Sequence, residues 1–261
     1  MGPTCDRVLV YSLLSASIQA SELLGIDEKL RAEMVDARGR LPPLQIGKHG
    51  QLQEWLEDFD EAEPDHRHTS HLIALYPEDQ ISPDKTPALA AAARVTLDRR
   101  IHQPNWEDTE WSRANLVNYY ARLRDGVAAH LHLCGLIAHA ADDSLLTYSR
   151  GGVAGAESNI FAIDGNTAGA AGIAEMLLQS HSDELLLLPA LPTKWPTGSV
   201  RGLRARGGIT VSIFWQNGDL SSALVKADRE AELTVRYQSG NATMHLRAGV
   251  EHTIPVAVFQ K

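Results

Sequence analysis

The segment SNIFAIDGNTAGAAGIAEMLLQSH, residues 158–181, sets an acid, an amide and several glycines directly against one of the most apolar helical stretches of the chain. Asp164, Gly165 and Asn166 read as a tight polar corner, because glycine and asparagine accept turn dihedrals that branched side chains resist. Ala171, Ile173, Ala174, Met176, Leu177 and Leu178 then supply the apolar surface of a helix over about residues 168–180. As plain structure the corner is a helix start, with Asn166 as a cap and Asp164 at the favourable end of the dipole. As chemistry it holds a carboxylate in a constrained place beside an amide, able to orient or deprotonate a water if a second acid faces it.

Upstream of this segment the apolar spacing predicts helices over about 7–24, ended by Gly25, and over about 28–38. GRLPPLQIGKHG, with paired prolines and two glycines, breaks the pattern. QLQEWLEDFD reads as a short helix, and EAEPDHRHTSHLIALYPEDQISP as a polar loop leading into a short apolar helical piece. A helix over about 84–99 takes Thr86 or Asp84 as its cap and Pro87 in its first turn. Another starts near Ser112 and is interrupted at Gly126, and Val127–Ala141 continues separately. Helices joined by long polar connections suggest an α/α toroid more than a four-helix bundle, whose loops are usually short.

Beyond about residue 195 the period changes to two. Ile209, Val211, Ile213 and Trp215 alternate before Asn217-Gly218, a strong hairpin signal, and further alternating runs centre on Val235, Leu246 and Val256. The fold expected is therefore mainly α over 1–194, followed by a small antiparallel β domain over 195–261 that buries one sheet face against the helices.

With 261 residues, 44% hydrophobic and a net charge of −9 from 33 acids and 24 bases, the chain has material for a sizeable core. The acidic balance and the lack of a basic stripe exclude a nucleic-acid partner. No run reaches the roughly 18 apolar residues needed to span a bilayer, so no membrane partner is expected. Cys5 and Cys134 fit neither a disulfide scaffold nor a metal motif. The start carries no basic region before its apolar stretch, so no signal peptide is evident and the compartment is not read.

PDHRHTSH gathers His66, Arg67, His68 and His71 within six positions. Their spacing does not match HExxH and no cysteine completes a zinc set, so neither metal nor cofactor is expected. Structural hydrogen bonding and binding of a polyhydroxylated or anionic ligand both suit a guanidinium fork beside imidazoles. Glu54 and Trp55 lie just before this block, and Trp106 and Trp111 after it. An indole face suits the apolar side of a sugar, although packing alone also accounts for each ring. Asp58, Asp60, Glu61 and Glu63 read as a solvated acidic edge, with Arg67 paired to one of them. The partner acid for Asp164 stays open among Glu54, Glu57, Glu110 and Glu157, since inverting glycosidases need about 6.5–9.5 Å between carboxyls and spacing alone selects none.

LPPLQIGKHGQLQEWLEDFD, HRHTSHLIALYP, WSRANLVNYYARLRDG and IFAIDGNTAGAAGIAEMLLQSH, in this order, resemble the later part of glycoside hydrolase family 95, and LLPALPTKWPTGSVRGLRARGGITVSIFWQNG extends the likeness across nearly the whole chain. The resemblance implies the later helices of an (α/α)6 barrel followed by the family's C-terminal β domain. It implies inverting hydrolysis of terminal α-1,2-linked L-fucose, with a fucosylated oligosaccharide or glycan as partner. Asp164 then matches the aspartate assisting water attack. His66, His68 and His71 match a block lining the sugar pocket, Glu54 and Trp55 its walls, and Asn166 an amide holding Asp164, while Arg67 and Trp111 stay candidates for sugar contact on their donor fork and indole face alone. The family's general-acid glutamate and water-holding asparagine fall upstream of the matching segment, as do a β-sandwich and the first part of the barrel. The resemblance thus implies a C-terminal fragment completed by a missing N-terminal segment or a complementing chain, or else an inactive remnant with a carbohydrate-binding or structural role. Glu110, Thr167 and Ala162 stand where glycine, phenylalanine and glutamine are frequent in the family, which points to an altered sugar such as an L-galactoside, or to loss of function.

Overall fold

Pro3 precedes α1 (Thr4–Leu24), which Gly25 ends in the left-handed conformation at φ 66°, as the sequence leads one to expect. The computed structural model describes residues 2–259 and divides into two units, Met1–Glu107 and Asp108–Lys261. In the first unit α1 packs on α2 (Glu28–Gly39), and α3 (Pro87–Ile101) follows with Thr86 at its N-cap position and Pro87 in its first turn. The alanines of α3 bring neighbouring backbone close, and Ala92, Ala93 and Leu97 are fully or almost fully buried.

The helix expected over QLQEWLEDFD does not form; this stretch is irregular. Its backbone donors and acceptors are claimed by distant partners instead. Leu52 N reaches Ala92 O at 3.3 Å and Thr96 Oγ1 at 3.0 Å, Gln53 N donates to Gln45 O at 2.9 Å, and Thr4 N donates to Glu54 O at 2.8 Å. These bonds seat the segment on α3 and on the start of α1 and take Leu52 N, Gln53 N and Glu54 O out of any local i to i−4 pattern. The apolar piece expected after HRHTSH is a short 3-10 turn at Ser70–Ala74.

The second unit opens with α4 (Glu110–Arg122), started by a reciprocal cap in which Thr109 and Ser112 satisfy each other's backbone amides. α5 (Gly126–Ala140) begins at the glycine expected to break it, because the Asp125 side chain accepts from Ala128 N at 2.9 Å and caps the new helix. A two-residue ladder pairs β1 (Tyr148–Ser149) with β2 (Ile160–Phe161), and α6 (Ile163–Leu177) follows. Gly165, Gly169 and Gly172 of α6 are all buried: Gly172 faces Val117 of α4, Gly165 faces Thr147 and Glu110, and Gly169 faces Leu136 of α5. A side chain at any of the three would overlap its neighbour: a Cβ at Gly172 would lie 2.5 Å from Val117 Cγ1. The glycines thus serve close helix approach, and Asn118 Nδ2 ties the pair by donating to Ala168 O at 2.8 Å.

The strand region is a two-sheet arrangement. β5 (Gly198–Ala205), β6 (Ile209–Gln216), β7 (Asp219–Ala227) and β10 (Glu251–Pro255) form one antiparallel sheet in the order β10-β7-β6-β5. β3 (Leu178–Gln179), β4 (Leu185–Leu187), β8 (Ala231–Tyr237) and β9 (Gly240–Leu246) form the other in the order β3-β4-β8-β9, with β4 and β8 parallel. The β6–β7 hairpin turns on Asn217 (φ 55°) and Gly218 (φ 83°), both left-handed as a tight turn of this kind requires. The expected burial of a sheet face against helices is replaced by burial of two sheet faces against each other. Ile209, Val211 and Ile213 of β6, Ala223 and Val225 of β7, Leu233 and Val235 of β8, and Leu185 and Leu187 of β4 share one core. Each fully buried aliphatic side chain there stabilises the fold by about 1.5–3 kcal/mol relative to exposure. The difference arises because Leu178–Leu187, directly after α6, supplies strands that sequence periodicity assigned to the helix and its exit.

The architecture is therefore mixed, helical first and stranded after. Several helix faces stay apolar and open: Leu13 is 68% and Leu23 81% exposed on α1, and Leu131 is 65% exposed on α5. Among the described residues no helix is long and apolar enough to cross a membrane.

Candidate active site

The first unit holds a cleft of about 260 Å³ whose lining includes Glu54, Trp55, Phe59, Glu61, His66 and Arg100. Trp55 is half-buried and forms an isolated bridge to Pro3. The Glu54 carboxylate lies 3.8 Å from Arg100 Nη2 and 3.9 Å from His71 Nδ1. Burial raises the Glu54 carboxyl above its ordinary value; Arg100 opposes this, Glu61 adds to it and His66 opposes it. His71 is 1% exposed, and burial, with the Arg100 charge adding, lowers its imidazole to about 3. The Glu54–His71 contact is thus between a carboxyl and a neutral ring, not an ion pair. His71 Nδ1 has no hydrogen-bond partner among the described residues, and a gap of 3.9 Å suits a bridging water or a ligand hydroxyl.

HRHTSH is gathered from both sides. Glu107 Oε2 accepts from Arg67 Nη1 at 2.8 Å and from Arg67 N at 3.2 Å, and it lies 3.0 Å from His66 Nδ1. Burial alone would raise the Glu107 carboxyl, but these bonds outweigh it and hold it below its ordinary value. Arg67 therefore pairs with Glu107, not with the acidic stretch before it as its proximity in sequence suggests. That stretch is in turn only partly a solvated edge. Asp58 accepts from Lys48 N at 2.6 Å, Asp60 lies 2.7 Å from Lys48 Nζ, and Glu61 lies 3.1 Å from Arg100 Nη2. His68 is exposed with its ring 4.9 Å from that of His66. Partial burial, then the charges of Arg67 and His66, lower its imidazole, so it presents a neutral ring at neutral pH.

The second unit carries the other expected group. Asp164 is not in a corner ahead of a helix but in the first turn of α6, whose N-cap is Ala162. Ala162 is extended because it ends a ladder, its amide donating to Thr147 O at 3.0 Å. Asn166 does not cap the helix. Its Oδ1 accepts from Thr147 N at 3.0 Å, its Nδ2 donates to Leu145 O at 2.7 Å, and the Thr147 hydroxyl donates to Ala162 O at 2.6 Å. The amide thus pins the 145–147 loop to the start of α6 and makes no bond to Asp164. Asp164 is exposed, and among the described residues its carboxylate has no hydrogen-bond or ion-pair partner. Glu110 is 3% exposed at the start of α4 and accepts from Ser149 Oγ at 2.6 Å, while Trp111 beside it is half-buried. Among the described residues no set of three or more His, Cys, Asp and Glu is placed to hold a metal ion.

Residues 1–177 match the glycosyl hydrolase family 95 catalytic domain, and residues 179–257 match the family 95 C-terminal domain. The chain belongs to glycoside hydrolase family 95. Alpha-L-fucosidase 2 of Arabidopsis thaliana is 37% identical to this family 95 chain over 255 residues, covering 94% of the chain and 29% of that protein. A probable alpha-fucosidase A of Aspergillus oryzae is 30% identical over 239 residues, 84% of the chain and 33% of that protein. The chain thus spans about a third of the length of the curated relatives it matches. A solved structure, a putative kojibiose phosphorylase from human microbiome, is similar at a TM-score of 0.47 and 12% identity, over 90% of the chain and 35% of that structure.

Sequence reasoning missed Glu61, Glu107 and Arg100 as parts of this arrangement. Each is a charged residue without motif spacing, and only the return of α3 and the 102–107 connection to the histidine segment brings them there.

Proposed function

We propose that this family 95 chain provides the later helices of an (α/α)6 toroid in a glycosidase that removes terminal L-fucose, or a related L-sugar, from glycans with inversion. The observation that carries the reading is the match to the family's catalytic domain over residues 1–177, together with 37% identity to an alpha-L-fucosidase. Asp164 is assigned to the water: its carboxylate stands unpaired on a helix start that Asn166 and Thr147 hold rigid. A carboxylate placed this way can orient a water or accept its proton. Trp55 is assigned to the apolar face of the sugar, with Glu54, His66, Arg67, His68 and His71 supplying polar contacts and Trp111 further wall. Asn166 acts at one remove, by fixing the turn that bears Asp164. The proton for the leaving group comes from an acid outside these residues, so the 261-residue chain alone turns over slowly or not at all.

The test uses the protein extended upstream by its own gene, assayed on 2′-fucosyl glycans, alongside the 261-residue chain. Asp164→Asn is expected to lower turnover of the extended protein by about 10²–10⁴-fold, the range for loss of a general base. Unchanged turnover removes Asp164 from the mechanism. Calorimetry with L-fucose and L-galactose on the 261-residue chain separates a competent sugar cleft from a structural remnant, which binds neither.

A further inference from the structure

Three chain segments meet at one buried guanidinium. Arg100, near the end of α3, is 3% exposed. Its Nη1 donates to the carbonyls of His66 at 3.0 Å and His68 at 3.2 Å. Its Nη2 donates to Glu61 Oε1 at 3.1 Å and lies 3.8 Å from Glu54 Oε2. All these partners lie far away in sequence, so no local structure holds them together. We infer that Arg100 is a positioning residue of the cleft, fixing the His66–His68 backbone and the Glu61 carboxylate through its two-pronged donor geometry and setting the charge felt by Glu54 at 3.8 Å.

Two physical points support a specific role over generic packing. First, carbonyl oxygens and carboxylates at different heights need a planar fork; a lysine ammonium on a flexible stem delivers the same charge as a single point and cannot span them. Second, a buried charge is costly unless it is paired and hydrogen-bonded. Arg100 meets that condition through Glu61, which also lies 3.7 Å from Arg99 Nη2. The groups facing Glu54 are then Arg100 from α3, Glu61 and His66 from the connection, neutral His71 from the 3-10 turn and the Cys5 thiol from α1. Glu61 is hydrogen-bonded to Arg100 and also lies near Arg99, whereas Glu54 has Arg100 only at 3.8 Å, so Glu54 is the group left to take up a proton. Arg100 therefore controls both where the histidine segment sits and how readily Glu54 ionises.

This inference rests on the sugar-cleft reading only for its consequence in ligand binding, and its experiment separates the two. Arg100→Lys, Arg100→Met and Glu61→Gln are made in the 261-residue chain, with folding followed by far-UV circular dichroism. Amide hydrogen exchange is measured over residues 62–70, and the Glu54 carboxyl is titrated by ¹³C NMR. Both Arg100 variants are expected to speed exchange over the segment about tenfold or more, since each loses charge-assisted bonds to its carbonyls. The Glu54 midpoint is expected to stay near wild type in Arg100→Lys, which keeps the charge, to rise in Arg100→Met, and to fall in Glu61→Gln with exchange unchanged. A purely structural arginine would move exchange but not split the midpoints this way. If Arg100→Met does not fold, Arg100→Lys and Glu61→Gln still decide the matter. Wild-type exchange in Arg100→Lys, or an unmoved midpoint in Glu61→Gln, overturns the inference. If L-fucose binds the wild-type chain, Arg100→Lys should weaken it about tenfold, and unchanged affinity also overturns the inference. If L-fucose does not bind but the exchange and titration results hold, Arg100 keeps its role and the sugar reading falls.

Discussion

Gly169 and Gly172 both lie on the buried face of α6, yet alanine at the two sites should have different consequences. Both replacements gain helix propensity, about 0.5–1 kcal/mol for removing a helical glycine. They differ in what the new methyl meets. At Gly169 the new methyl meets Leu136 Cδ2 at 2.8 Å, the far end of a flexible side chain. A rotation of Leu136 clears it at about 0.5–1.5 kcal/mol, which roughly cancels the gain. At Gly172 the methyl meets Val117 Cγ1 at 2.5 Å and Cβ at 2.9 Å. Ordinary carbon contacts fall near 3.5–4.0 Å, so about 1 Å of retreat is needed. Val117 is fully buried on α4, and a β-branched residue in a helix has essentially one rotamer, so the backbone of α4 has to move. Overpacking of this kind costs about 1–3 kcal/mol. Net expectations are near-zero change for Gly169→Ala and a loss of about 1–2 kcal/mol for Gly172→Ala, or about 2–8 °C in melting temperature for a unit of this size. Urea unfolding followed by circular dichroism, with both variants measured beside wild type, reads the difference directly. A Gly172→Ala chain as stable as Gly169→Ala would refute the claim that glycine is there for helix approach.

Other outcomes follow from the same structure. Asn166→Ala leaves the buried Thr147 N without its partner, which should cost about 1–3 kcal/mol; faster amide exchange at Thr147 checks it, and an unchanged rate would show that the loop is held by other means. His132 is 7% exposed and stacked on Tyr120 at 5.2 Å. Burial, with the Arg113 charge adding, lowers it to about 4 from 6.5. The unfolded chain therefore binds a proton that the folded one refuses between those values, and stability falls as pH drops through that window. His132→Phe should flatten the slope of the second unit's urea midpoint against pH, whereas an equally steep slope would show that His132 is not its source. In the first unit His71 acts in the same sense, toward about 3, while the raised Glu54 carboxyl acts oppositely, favouring the folded state at low pH and losing that contribution as pH rises. The first unit should accordingly show the shallower net dependence where the two windows overlap.

Local chemistry made much of the chain legible. Gly25 ends α1, Pro87 opens α3 and Asn217-Gly218 turns β6 into β7, because each acts through its own backbone torsions. Alternation marked β6 because its odd positions are buried and its even ones are not. The family was legible too, since four motifs in order carry more information than any spacing among them, and the family match agrees. QLQEWLEDFD misled because its backbone bonds run to residues 4, 45, 92 and 96. Leu178–Leu187 misled because two short buried strands look like the tail of an apolar helix.

What the sequence determined alone is most of the helices, the β6–β7 hairpin and its turn, and the choice of Asp164, Trp55 and the histidine block as candidate groups, because propensity and motif act over a few residues. Tertiary structure alone decided which charges neutralise one another: Arg67 goes to Glu107 and Glu61 to Arg100. It also turned Asn166 from a cap into a loop clamp. Such pairings depend on distances between segments tens of residues apart, and electrostatic and hydrogen-bond energies fall too steeply with distance for sequence proximity to stand in for them.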